Sequence, residues 1–192
     1  MTQIIIVRYV YLKLFRKSIE LLIFNKTEPY LITCANQLGF KRKHGTDMCV
    51  FTPKEIIRYY INHDSLMYLT FLNASQVFDH LNHIVLLRKL LSAGVPMYLL
   101  RLIAFWYCNQ FYHVRWGNAL SVSFTVSNGV RQVGVLSSIC FNFYMNELSV
   151  RLISAPIGCC FAGIVINHLM YADDLVVFAR LLRVFKHCLI CA

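Results

Sequence analysis

Acidic residues are scarce in this chain. Asp and Glu together number 9 in 192 residues, against 19 Lys and Arg, for a formal net charge of +10. That imbalance disfavours a basic partner and points to nucleic acid or an anionic membrane surface. The sequence also lacks internal repeats and low-complexity linkers, so neither a repeat array nor a disordered tether is expected. Its first 24 residues are apolar but interrupted by Arg8, Lys13, Arg16, Lys17 and Glu20, with no clean apolar core ahead of a small-residue cleavage site. A secretory leader is therefore not expected, and the protein reads as intracellular, cytoplasmic or nuclear. The 8 cysteines form no secreted disulfide pattern; most read as buried small hydrophobes in a reducing compartment. Cys188 and Cys191 have zinc-ligand spacing but no second ligand pair.

Charge is missing altogether between Leu152 and Ala172, a stretch long enough to span a bilayer. Pro156, Gly158, Gly163, Asn167 and His168 interrupt it, and it ends at two adjacent aspartates. Two buried strands with a turn explain it better than a membrane helix.

Against that acid-poor background, Asp173 and Asp174 stand side by side in Tyr171-Ala172-Asp173-Asp174-Leu175. Val165, Ile166, Leu169 and Met170 precede them, and Leu175 to Phe178 follow, which predicts two short strands joined by a tight turn. At such a tip both carboxylates can reach one site. Their mutual repulsion and lost solvation call for a counter-charge, and a hard divalent cation with oxygen ligands supplies one.

This stretch resembles the palm signature of reverse transcriptases, specifically those of non-LTR (LINE-type) retrotransposons. Two further stretches match in the same order. Phe71-Leu72-Asn73-Ala74-Ser75-Gln76-Val77-Phe78-Asp79 is similar to the family's first carboxylate strand, and residues 128–138, Asn-Gly-Val-Arg-Gln-Val-Gly-Val-Leu-Ser-Ser, are similar to its nucleotide-binding loop. The basic loop from Asn36 to Thr46, with Lys41, Arg42 and Lys43 between glycines, resembles its fingers loop. The likeness runs from about Asn36 to Ala179.

The resemblance implies an RNA-directed DNA polymerase using Mg2+, with an RNA template, a DNA primer and deoxynucleotides as partners and no membrane. It implies a catalytic set of Asp173, Asp174 and the residue at position 73, with the first two as metal ligands. It places Phe78, Gln132, Val133, Lys41 and Arg42 at the nucleotide, Phe78 as the aromatic that meets the sugar 2′ position. Without the neighbouring motifs, Phe78 reads better as a core aromatic and the basic loop as an ordinary solvated turn.

Positions 73, 133 and 138 depart from the pattern. Position 73 is Asn where the family has Asp, and an amide offers one neutral oxygen and an NH₂ that repels cations. Position 133 is Val where the family has Gly, which crowds a site that backbone approaches closely. Asp79 is a weaker candidate for the missing carboxylate. Ser138, in place of proline, is expected to cap the following helix.

Helical and strand periodicities alternate, giving an α/β (α+β) fold class that the resemblance sharpens to fingers and palm, an antiparallel sheet backed by helices. Expected elements are an amphipathic helix over 3–24, a helix opening at Thr52-Pro53, a strand over 67–72, a helix after Asp79 with Ile84, Leu87, Leu90 and Leu91 inward, and a helix over 97–110. A hairpin around Gly117-Asn118, a helix over 138–152 and strands over 160–170 and 175–179 follow. The expected division is an N-terminal helical segment 1–35, a fingers–palm domain 36–179 and a tail 180–192, with too little chain after Asp174 for a thumb. Two alternatives stay open: a non-catalytic nucleic-acid-binding remnant of the palm fold, and a basic membrane-associated protein.

Overall fold

The computed structural model describes residues 5–6, 13–73, 77–130, 134–155 and 158–180. Cys188 and Cys191 lie outside them, as do Gln132 and Val133. The described residues fall into two compact units. One takes in those of Met1–Ile32 and Phe78–Cys140, the other those of Thr33–Val77 and Phe141–Ala192.

In the first unit, strand β1 (Ile5–Ile6) precedes helix α1 (Lys13–Thr27). The single helix expected over 3–24 is thus replaced at its start by a strand, because Ile5 and Ile6 pair antiparallel with Arg115 and Val114 of β4 (Val114–Trp116). The short helix α3 (Val77–His80) leads into helices α4 (His83–Ser92) and α5 (Met97–Cys108), and α5 packs against both α1 and α4. Asn82 caps α4 by accepting from the amides of Ile84 and Val85. The buried face of α4 carries His83, Leu86 and Leu90, whereas Ile84 and Leu91 are exposed. The expected apolar stripe was therefore rotated, since a helix with leucines at several phases leaves its inward face undecided until α5 is in place. Gly117 and Asn118 turn β4 into β5 (Ala119–Leu120) as expected, and a second ribbon joins β3 (Phe111–Tyr112) to β6 (Phe124–Thr125).

The second unit is built on a three-stranded antiparallel sheet in the order β2 (Tyr68–Asn73), β10 (Asp174–Ala179), β9 (His168–Tyr171). β10 is central and buried on both faces, which explains its unbroken apolar run. Leu175, Val177 and Ala179 meet Leu152, Met145 and Leu148 of helix α6 (Val135–Ser154) on one side. On the other side Val176 and Phe178 meet Ile56 and Tyr60 of helix α2 (Thr46–Asn62). Ile56 and Phe178 are fully buried, and each such side chain contributes about 1.5–3 kcal/mol by leaving water.

α2 begins at Thr46, ahead of the expected start, and carries the buried Pro53 inside it. Asp47 in its first turn complements the helix dipole, and packing of Ile56 and Tyr60 offsets the hydrogen bond that Pro53 removes. Ser138 likewise lies inside α6, with its hydroxyl donating to the Gly134 carbonyl rather than capping. The strand expected over 160–170 is three: β7 (Cys159–Phe161) and β8 (Ile164–Ile166) form a hairpin through Ala162 and Gly163, and β9 follows. Among the described cysteines only Cys140 and Cys159 are buried; Cys34 and Cys49 are half-buried, and Cys108 and Cys160 are exposed. No helix among the described residues is long and apolar enough to cross a membrane.

Candidate active site

The paired aspartates sit where β9 turns into β10. Tyr171 pairs with Asp174, leaving Ala172 and Asp173 as the two turn residues. Ala172 has φ +57, the left-handed conformation that tight hairpin turns demand at their first central residue. For a residue with a Cβ this costs about 1–2 kcal/mol, so something must hold it.

What holds it comes from residues 36–39. The amide of Leu38 donates to the Met170 carbonyl and the amide of Met170 to the Asn36 carbonyl, each at 2.8 Å. The Gln37 side chain then clasps Ala172 from both ends. Its Oε1 accepts from the Ala172 amide at 3.2 Å, and its Nε2 donates to the Ala172 carbonyl at 3.3 Å. The same Oε1 accepts from the Gly39 amide at 2.9 Å. Gly39 lies so close that a Cβ on it would stand 2.3 Å from the Ala172 nitrogen and 3.0 Å from the Tyr171 carbonyl carbon. Only glycine fits there. Asn142 of α6 donates to the Gly39 carbonyl at 2.6 Å.

A second support lies three residues ahead of the turn. His168 is fully buried in β9. Its Nδ1 donates to Asn167 Oδ1 at 2.7 Å, and its Nε2 accepts from the Ser149 hydroxyl at 2.7 Å. Asn36 donates to the His168 carbonyl at 3.1 Å. Burial depresses the imidazole to about 4, so the ring is neutral at physiological pH.

In front of the turn the geometry is different. β2 pairs with β10 so that Asn73 lies directly opposite Asp174, with Phe71 opposite Val176. Asn73 Nδ2 donates to Asp174 Oδ1 at 3.2 Å. Asp174 is exposed and Asp173 half-buried. Cys49 of α2 lies within electrostatic reach of Asp174, and burial, with that carboxylate added, raises its thiol above the usual range.

This donor set does not fit a pair of divalent cations. The neutral Asn73 amide turns its N–H toward the Asp174 carboxylate, which satisfies Asp174 without a metal. Among the described residues no group of three or more His, Cys, Asp and Glu side chains is placed to hold a metal ion.

The other expected site residues divide as follows. Lys41 and Arg42 belong to the same unit as the turn, but the Lys41 ammonium donates to the Cys34 carbonyl and, at 3.5 Å, to that of Thr33. Burial lowers its pKa, with Cys34 pulling the other way. Phe78, half-buried, belongs to the other unit. Its carbonyl accepts from the Val130 amide at 2.7 Å.

The strand order β2-β10-β9 sets the paired aspartates at the tip of the β9–β10 hairpin, with position 73 across from Asp174. The profile of the family described as reverse transcriptase (RNA-dependent DNA polymerase) matches residues 8–191. The chain belongs to the reverse transcriptase family. It is also similar to the retrovirus-related Pol polyprotein from type-2 retrotransposable element R2DM of Drosophila melanogaster, with 29% identity over 125 residues. That match covers 65% of this chain and 12% of the relative, so the chain spans a small part of that polyprotein's length. Reverse transcriptases generally use divalent metal.

Four contributors escaped the sequence reading as site residues: Gln37, Gly39, Asn142 and His168. Gln37 and Gly39 carried a signal, because they belong to the segment that resembles the fingers loop. Asn142 and His168 carried none beyond being polar residues in apolar surroundings.

Proposed function

We propose that this chain is the fingers–palm portion of an RNA-directed DNA polymerase from a non-LTR retrotransposon, and that its nucleotidyl transfer is impaired. The family reaction joins a primer 3′-hydroxyl to the α-phosphorus of a nucleotide. In that family reaction a bound divalent cation would supply activation of the hydroxyl and charge stabilisation for the leaving pyrophosphate. Asp173 and Asp174 are the catalytic and metal-binding residues on this reading, and Asn73 occupies the position of the third carboxylate. Phe78, Gln132, Val133, Lys41 and Arg42 belong to the nucleotide site. RNA template, DNA primer and deoxynucleotides are the partners, and Mg2+ is held weakly or not at all.

The observation that carries the proposal is the Asn73–Asp174 hydrogen bond at 3.2 Å. A carboxylate at position 73 would repel Asp174 and need a cation between them. The amide instead neutralises that need within the protein. Loss of one preorganised electrostatic group costs about 3–4 kcal/mol of transition-state stabilisation, on the order of two to three decades in rate.

The same bond favours a second reading, a palm-fold module that binds nucleic acid without catalysis. Primer extension on an RNA template, with Mg2+ and with Mn2+, separates the two. Four chains are compared, each fused to the same thumb domain: the parent, Asn73→Asp, Val133→Gly and the double variant. The proposal expects extension from the double variant and none from the parent. A parent that extends as fast as the double variant shows that Asn73 is not the third-ligand position. No extension from any of the four leaves only the binding module.

A further inference from the structure

His83 is the first residue of α4, nearly buried, and its Nε2 donates to the Gly129 carbonyl at 2.6 Å. Its ring stacks on Tyr107 with centroids 5.0 Å apart and planes 28° from parallel. The stack fixes the ring plane, so the donor has one direction. Gly129 is the hub of the loop at residues 128–130. It has φ +88, and a Cβ on it would come within 2.8 Å of the Asp79 carbonyl oxygen, 2.9 Å of the Asp79 Cα and 3.0 Å of the Phe78 carbonyl oxygen. The loop therefore rests directly on the backbone of Phe78 and Asp79. Two further bonds tie the same segments. The Gly129 amide donates to the Leu81 carbonyl and the Val130 amide to the Phe78 carbonyl, each at 2.7 Å. Asn82 and Asn128 form an isolated antiparallel bridge.

Phe78 thus stands on a backbone held from outside its own helical turn, and among the described residues His83 brings a side-chain hydrogen bond to that clasp. Removing it leaves a carbonyl short of its partner beside a glycine with no side chain to anchor it. The loop then shifts, and with it the Val130 amide that holds the Phe78 carbonyl.

We infer that His83 is a positioning residue for sugar selection: it fixes the height of Phe78 against the 2′ position of an incoming nucleoside triphosphate. This rests on the reading of Phe78 given above. A histidine that only fills the core would set stability and leave sugar preference alone, and that difference is measurable.

The test uses the full 192-residue chain carrying Asn73→Asp and Val133→Gly, bound to an RNA template and DNA primer. Affinities for dATP and ATP are measured by competition, alongside thermal midpoints and hydrogen exchange at the Gly129 and Val130 amides. His83→Ala is expected to lower the dATP-over-ATP preference at least about fivefold and to speed exchange at those two amides. His83→Gln keeps an N–H donor and is expected to restore most of both. Leu90→Ala removes a fully buried side chain elsewhere in the same unit, and it is expected to lower the thermal midpoint while leaving the preference intact. Unchanged preference in His83→Ala overturns the assignment, as does an equal loss in Leu90→Ala. Phe78→Ala separates the levels. If it abolishes the preference while His83→Ala does not, the reading of Phe78 stands and only His83 falls. If the starting chain binds neither nucleotide, or binds both equally, the reading of Phe78 falls and the His83 assignment with it.

Discussion

Behind the turn at residues 171–174, both backbone polar groups of Ala172 have a partner and the packing admits no extra atom. In front of it, a carboxylate meets an amide. The rear is built by Gln37, Gly39 and His168, and the front by Asn73 and Asp174. The two sides answer to different physics. The rear decides whether the hairpin exists, because its bonds and contacts are made within the fold. The front, on the proposed reading, decides what the hairpin can bind. An Asp-to-Asn change at position 73 alters the second without touching the first. On the reading proposed above, the hairpin keeps its shape whichever of the two residues stands at position 73.

The largest expected effect lies at the rear and follows from pH. His168 is held near 4 in the fold, while an exposed imidazole titrates near 6.5. Between those values the unfolded chain takes up a proton that the fold excludes, so stability falls as pH drops from about 6.5 to about 4 and levels off below. The loss is on the order of 3 kcal/mol. Urea melts at stepped pH measure it. A His168→Gln chain should be less stable at neutral pH yet lack most of that slope.

Gly39→Ala should cost about 2–3 kcal/mol, because the new Cβ meets backbone that cannot step aside. Denaturant midpoints check this, and a midpoint equal to the parent's would mean that residues 36–39 do not press on the turn. Gln37→Leu should cost about 2 kcal/mol by stranding the Ala172 amide and carbonyl. Hydrogen exchange should quicken first at Ala172, before the core of β10 opens.

The smallest effect concerns charge. Lys41 is committed to carbonyls of its own unit, whereas Lys43 is exposed. Lys43→Gln should therefore reduce the salt dependence of RNA binding by about one unit of slope. Lys41→Gln should act mainly on stability. Equal slopes for both would show that the loop rearranges on nucleic acid.

Much of the site was legible in the sequence because strand pairing is written in short local patterns. The run from Leu175 to Phe178 gave the central strand, and Phe71-Leu72-Asn73 gave its partner. Their register could not be read, yet it is the register that sets Asn73 opposite Asp174. The basic loop was legible as charge but not as structure. Its first residues form a parallel bridge to Met170, a contact across more than a hundred residues that no local pattern signals. Pro53 misled for a related reason, since tertiary packing at Ile56 and Tyr60 carried α2 through a residue that favours helix starts. His168 was invisible as a buried neutral ring because its partners, Ser149 and Asn167, gain meaning only once α6 and β9 are side by side.

The comparison between rear and front is tested most directly by Mn2+ binding to the full chain and to Asn73→Asp, followed through water-proton relaxation. Adding a carboxylate beside Asp174 should tighten Mn2+ at least tenfold, about 1.4 kcal/mol, while the urea midpoint without metal stays the same or falls slightly from the new repulsion. Equal Mn2+ affinity in the two chains would contradict the account, because it would mean that position 73 takes no part in holding a cation.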